Sequence, residues 1–210
     1  WGVPGDLSLK PEISAPGGNI YSVNGAVAAT DQYELMSGTS MAAPQVAGMV
    51  ALVQQYLREQ EIEVAGMTSR ALTQSLLMST ATALRDRASG NFYPILQQGA
   101  GLANVRAALR TPTFVTVDGQ NDGKVKVELG DDPNRTGAYA FRFQLHNLTD
   151  TECAYQLSSD VFTQATEAGA GGFSYLSVLT RTMDATVEFS VDGQSVMEYT
   201  GELSNYDFNG

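Results

Sequence analysis

Near residue 111 the spacing of apolar side chains switches from the period of a helix to the period of a strand, which commits the two halves of the chain to different architectures. In the first half Val46, Val50, Val53 and Leu57 recur at steps of four, three and four, so they share one face of a helix. A second helical stretch is expected over about 68–82, with Leu72, Leu76 and Leu77 apolar and Thr68 supplying half of a capping box ahead of Ala71. A third, short one is expected over about 101–109. After Arg110-Thr111-Pro112 the pattern alternates: Tyr139, Phe141, Phe143 and Leu145 face one way, and Ala140, Arg142, Gln144 and His146 the other. Similar runs at 113–117, 124–129, 152–157, 185–191 and 195–200 are separated by turn clusters such as 118–123, Asp131-Asp132-Pro133-Asn134 and Asp192-Gly193. The expectation is an α-rich region over 1–111 followed by an all-β sandwich over 112–210.

Charge and length narrow the function classes. Twelve Lys and Arg against 23 Asp and Glu give a net charge of −11, which repels a phosphate backbone and argues against nucleic acid as a partner. No window approaches the run of about 18 to 20 apolar residues that a membrane-spanning helix needs. A single cysteine and a single histidine cannot make an internal disulfide or a zinc site of thiolates and imidazoles. Cys153 alternates with Tyr155 and Leu157 and is expected in a core; the acidic turns at Asp118–Asp122 and Asp131-Asp132 lack an EF-hand spacing and read as solvated. No metal and no cofactor is expected. Trp1-Gly2-Val3-Pro4 has no leader-like pattern and reads as the middle of a protein.

Chemistry concentrates at 38–48, Gly-Thr-Ser-Met-Ala-Ala-Pro-Gln-Val-Ala-Gly, directly ahead of the best helix. A serine there lies near free backbone N–H groups and the positive end of the helix dipole, so Ser40 suits a nucleophile whose carbonyl substrate develops an oxyanion. The same residues allow a plainer reading in which Thr39 or Ser40 only caps the helix. Pro44 is expected in its first turn. The nucleophile elbow of the α/β-hydrolases does not fit, because Ala42 stands where that motif needs glycine.

Residues 38–48 resemble the signature around the nucleophilic serine of the subtilisin-like serine peptidases. Leu9-Lys10-Pro11-Glu12-Ile13-Ser14-Ala15-Pro16-Gly17-Gly18 is similar to the segment that precedes that serine, and Gln98-Gly99-Ala100-Gly101-Leu102-Ala103-Asn104 to the start of the domain's last helix. Phe143–Asp150 resembles the first core strand and turn of a fibronectin type III-like domain, which follows the catalytic domain in the lactocepin-type cell-envelope proteinases. The resemblance implies the C-terminal part of an α/β, parallel-sheet peptidase domain over 1–111, then a fibronectin type III-like sandwich over 112–210 that is incomplete. It implies Ser40 as the nucleophile, Ser37, Gly38 and Thr39 bordering the substrate, and Met41 beside the reaction centre, where sulfoxidation would obstruct the leaving group.

By the same resemblance the triad Asp and His and the oxyanion Asn precede the serine in the chain and are supplied by an upstream part of the same polypeptide, so the 210 residues alone are expected to be inactive. Substrates are proteins or peptides, and the location is extracellular or at the cell surface. Two positions depart from the family: Glu12 replaces Asp, and Gln45 replaces a His outside the triad. The lone His146, on the predicted polar face of a strand, is expected to be structural. A reading from another class, a surface adhesion or spacer module that keeps the peptidase fold without its chemistry, also accommodates these residues.

Overall fold

A computed structural model describes residues 8–24, 32–155, 158–191 and 194–202. Contacts divide the chain into two compact units, Trp1–Ala83 with Ile95–Asp150 and Leu84–Pro94 with Thr151–Gly210. The first unit thus runs past residue 111 and keeps the first strands of the β-rich half.

In the first unit, β1 (Ile20–Val23) and β2 (Tyr33–Met36) form an antiparallel pair with Ile20 opposite Met36. Then come α1 (Thr39–Glu59), α2 (Ser69–Ser79), the short turns α3 (Ile95–Gln98) and α4 (Val105–Ala108), and the antiparallel pair β3 (Thr113–Val117) and β4 (Phe143–Asn147). The apolar face predicted for α1 is the one that packs: Val53 and Leu57 are buried, and Val46 and Val50 are half-buried. Val53 and Leu57 meet Leu72, Leu76 and Leu77 of α2, Ala108 of α4 and Phe114 of β3 in one core, and Val50 packs against it. Thr68 caps α2 as its sequence suggests, its hydroxyl accepting from the Ala71 N–H at 3.1 Å.

Helix α2 also covers the free edge of β3. The Ser75 hydroxyl donates to the Val115 carbonyl at 2.5 Å, and the Val115 N–H donates to the Ser79 hydroxyl at 3.0 Å. An edge strand's unpaired backbone groups are thereby satisfied by two serines one turn apart on a helix.

In the second unit, β5 (Phe162–Ala168) pairs with β6 (Ser174–Thr182) and β7 (Asp184–Val191) with β8 (Gln194–Glu202), both antiparallel. Residues 84–94 belong to it through Phe92. That ring stacks on Phe162 at 4.8 Å between centroids, and its carbonyl accepts from the Thr180 N–H at 3.0 Å and hydroxyl at 2.8 Å.

Several expectations are corrected. Helix α1 starts at Thr39, well before its first buried-face residue, so Pro44 lies in the helix interior and not in the first turn. The third helix is only Val105–Ala108, because the Asn104 side chain caps it by accepting from the Ala107 N–H at 3.0 Å. The run at 139–145 becomes a strand only from Phe143, since Tyr139 and Phe141 are exposed and have no core to face. Residues 124–129 and 152–155 are not strands, whereas β5 and β6 arise where no alternation was evident. Runs 185–191 and 195–200 do lie in β7 and β8; Leu157 and the turn at Asp192-Gly193 fall outside the described residues.

The α/β character holds, but among the described residues every strand pair is antiparallel, and the parallel arrangement survives only as an isolated bridge between Ser14 and Leu102. Among the described residues the strands of the β-rich half hydrogen-bond only as two-stranded sheets, β3 with β4, β5 with β6 and β7 with β8. Cys153 is only half-buried, and the described residues on either side of it, 151–155 and 158–160, are not in a strand. No described helix is long and apolar enough to cross a membrane.

Candidate active-site serine

The N-terminus of α1 is shaped by backbone and not by a capping side chain. Gly38 occupies the N-cap with φ 153° and ψ 169°, a region essentially restricted to glycine, and no side chain caps the helix. Its carbonyl accepts from the Met41 N–H at 3.0 Å and the Ala42 N–H at 3.4 Å. Thr39 and Ser40 therefore lie inside the first turn, where N–H groups have no intrahelical acceptor. This overturns the plainer reading of the motif, because neither hydroxyl caps the helix.

Three sequence motifs distant along the chain meet behind this turn. The Gly38 N–H donates to the Gly17 carbonyl at 2.7 Å. A Cβ on Gly17 would stand 2.7 Å from the Gly38 oxygen and 3.3 Å from the Ala42 Cβ, so the two backbones approach only because residue 17 has no side chain. The Asn19 N–H donates to the Ser37 hydroxyl at 2.8 Å, and the Gln45 amide donates to the Pro16 carbonyl at 2.7 Å and the Met41 carbonyl at 3.3 Å. From the other side, the Ser14 N–H donates to the Gly101 carbonyl and the Ala103 N–H to the Ser14 carbonyl, both at 2.8 Å, while the Ala100 N–H reaches the Glu12 carbonyl at 2.9 Å. Residues 9–19 are thus a strip between the loop that carries Ser40 and the turn at 98–104.

Pro44 adds a local effect. With no N–H it cannot donate to the carbonyl of residue 40, so the Ser40 peptide lacks its usual helical partner on that side as well. Ser37, Gly38, Thr39 and Ser40 are exposed and Met41 is half-buried. Among the described residues nothing hydrogen-bonds the Ser40 hydroxyl. An exposed hydroxyl with free N–H groups beside it can attack a carbonyl and stabilise the resulting oxyanion once a base removes its proton.

His146 is not that base here. It lies opposite Phe114 in the β3–β4 pair, its ring stacked on the phenyl at 4.5 Å and 9°, and its Nε2 is 2.6 Å from the Thr116 hydroxyl. This corrects its expected placement on an outward polar face: the imidazole covers a buried phenylalanine while its Nε2 is held by a neighbouring hydroxyl. Its structural assignment stands on those contacts.

The acidic turns are occupied by their own neighbours. The Lys124 ammonium lies 2.6 Å from Asp122 and, through that hydrogen bond, holds the carboxyl below the ordinary carboxylate range. Asp132 is lowered by accepting from the Gly137 N–H at 2.6 Å. No group of three or more potential ligands for a metal occurs among the described residues. What sequence reasoning missed is the supporting role of Gly17 and Gln45. The signal for Gly17 was its place in a motif, and for Gln45 there was none, since its partner is a backbone carbonyl 29 residues away.

Residues 2–101 match the subtilase family. The chain is 33% identical over 150 residues to a C5a peptidase of Streptococcus pyogenes, in a match covering 71% of this chain and 12% of that protein. It is 34% identical over 188 residues to a PII-type proteinase of Lacticaseibacillus paracasei and 32% identical over 188 residues to one of Lactococcus lactis subsp. cremoris, each match covering 81% of this chain and 9% of the relative. The chain therefore spans about a tenth of the length of these curated relatives.

Proposed function

The chain belongs to the subtilase family through residues 2–101, and from that premise we propose that it carries the nucleophile of a serine endopeptidase. Ser40 attacks the peptide carbonyl to form an acyl-enzyme, and its backbone N–H takes part in holding the oxyanion. Ser37, Gly38 and Thr39 line the path of the substrate backbone, and Met41 borders the leaving group. The histidine that accepts the Ser40 proton, the aspartate that orients it and a second oxyanion donor come from upstream in the same polypeptide. The observation that carries this reading is that the Ser40 hydroxyl is exposed inside the first turn of α1, with free N–H groups beside it and no capping duty.

Residues 1–111 are the C-terminal part of the peptidase domain, and 112–210 are the beginning of a fibronectin type III-like β module. In support, a match covering 81% of the chain cannot fit within its first 111 residues, so the likeness to the PII-type proteinases continues into the β-rich half. The whole protein works outside the cell or at its surface on protein or peptide substrates, as its likeness to peptidases of that type suggests.

The test is labelling by a fluorophosphonate probe, which reacts with activated serines, on the 210-residue chain and on a longer one that includes the preceding sequence. Labelling of the longer chain alone, abolished by Ser40→Ala, is the expected result. No labelling of either chain would replace this reading with that of a surface spacer that keeps the fold without its chemistry.

A further inference from the structure

Residues 122–128 lie outside the family-matched stretch, yet they close over the strip that supports the Ser40 loop. The segment is anchored at Gly123, which is buried with φ +78° against the backbone of Ala71 in α2; a Cβ there would fall inside the Ala71 carbonyl. From that anchor it runs along residues 9–12. The Lys126 ammonium donates to the Leu9 carbonyl at 2.6 Å and lies 3.0 Å from Glu128 and 3.9 Å from Glu12, while the Leu9 N–H donates to the Glu128 carboxylate at 3.0 Å. Lys124 reaches Glu12 at 4.0 Å, and Lys10 pairs with the same carboxylate. Three ammonium groups therefore share Glu12.

Isolated surface ion pairs contribute little. This set differs in two respects: the Lys126 side chain is only 12% exposed, and it holds backbone as well as charge, so the strip is gripped at Leu9 whatever the side chains around Glu12 do. The grip continues toward the serine through the Glu12 carbonyl on Ala100, the Pro16 carbonyl on Gln45 and the Gly17 carbonyl on Gly38.

We infer that residues 122–128 are a latch that holds the strip 9–17 in place and so fixes the backbone before Ser40, with Lys126 and Glu12 as positioning residues. The inference deepens the nucleophile reading and rests on it for its catalytic consequence. It also gives the sequence beyond the family-matched stretch a part in the active site without contact to substrate.

The experiment compares Lys126→Met, which keeps the methylene stem but removes the charge, with Lys126→Arg, which restores a cation. Two quantities are measured: amide hydrogen exchange of residues 9–19 and 38–41 in the 210-residue chain, and the fluorophosphonate labelling rate per folded molecule in the longer chain. In Lys126→Met, exchange at Ser14 and Gly38 should speed up by about tenfold and labelling should slow by about threefold to tenfold, with Lys126→Arg recovering most of both. Unchanged exchange at Gly38 in Lys126→Met overturns the latch, whatever the labelling rate. Equal labelling of wild type and Ser40→Ala would instead sink the nucleophile reading, and the exchange measurement would still decide the latch.

Discussion

Gly17 and Gly18 are adjacent in the chain and make opposite predictions. A Cβ on Gly17 would press on the Gly38 carbonyl at 2.7 Å, a backbone atom that cannot swing aside, whereas one on Gly18 would meet nothing within 4 Å. Gly17→Ala should therefore cost about 1–3 kcal/mol, as overpacking does, and should slow labelling of the longer chain by displacing the turn before Ser40. Gly18→Ala should leave both within experimental error. Denaturant melts of the two variants beside the wild type check the first part, and equal behaviour of the pair would remove the Gly17–Gly38 approach from the account. The motif was legible as a motif in the sequence. Which of its two glycines matters was not, because the answer depends on where a loop 21 residues downstream returns.

At the scale of elements, the segment 122–128 offers a pH test. Asp122 titrates below its ordinary 3.8, chiefly because Lys124 hydrogen-bonds its carboxylate, and Lys124 is raised above 10.5 by the same bond. A carboxyl whose pKa is lower in the folded state contributes stability that is fully present above the unfolded value and is lost as pH falls through the folded one. A lysine whose pKa is raised contributes stability that is present below 10.5 and lost as pH rises past its folded value. The pair should thus stay closed across the neutral range and open in acid below pH 3.8. An NMR titration of the Asp122 carboxyl should give a midpoint below that value, with the Lys124 amide shift following it; a midpoint at or above it would dissolve the pair. Helices show the same division of legibility. The face of α1 and the Thr68 cap of α2 were visible in the spacing, because a helix face and a cap are set within a few residues. The start of α1 was not, because no apolar periodicity marks residues 39–45 and Gly38, tied to Gly17, sets the N-cap.

At the scale of the molecule, the change of period at residue 111 does not coincide with the boundary between compact units. Phe114, 1% exposed, is part of the core that α1 and α2 build, and β3 is joined to α2 through Ser75 and Ser79. A chain ending at 111 would lose Phe114 and leave those two hydroxyls without their strand. It should bind a hydrophobic dye more strongly and melt at a lower temperature than a chain ending at 150; equal dye binding and melting would show that β3 and β4 are dispensable to the core.

Some properties of this protein follow from the sequence by itself: the apolar face of α1, the cap of α2, the strand period of 113–117 and 185–191, the acidic balance, and the motif at 38–48 with its likeness to a serine peptidase. Each depends on residues a few positions apart or on composition, where local sterics and hydrogen bonding suffice. Tertiary structure alone decided that the strips 9–18, 38–48 and 98–104 meet, that His146 lies on Phe114, and that residues 122–128 close over Leu9 and Glu12. These contacts join residues tens of positions apart, and which pairs form depends on how the whole core closes, a quantity that no local spacing records.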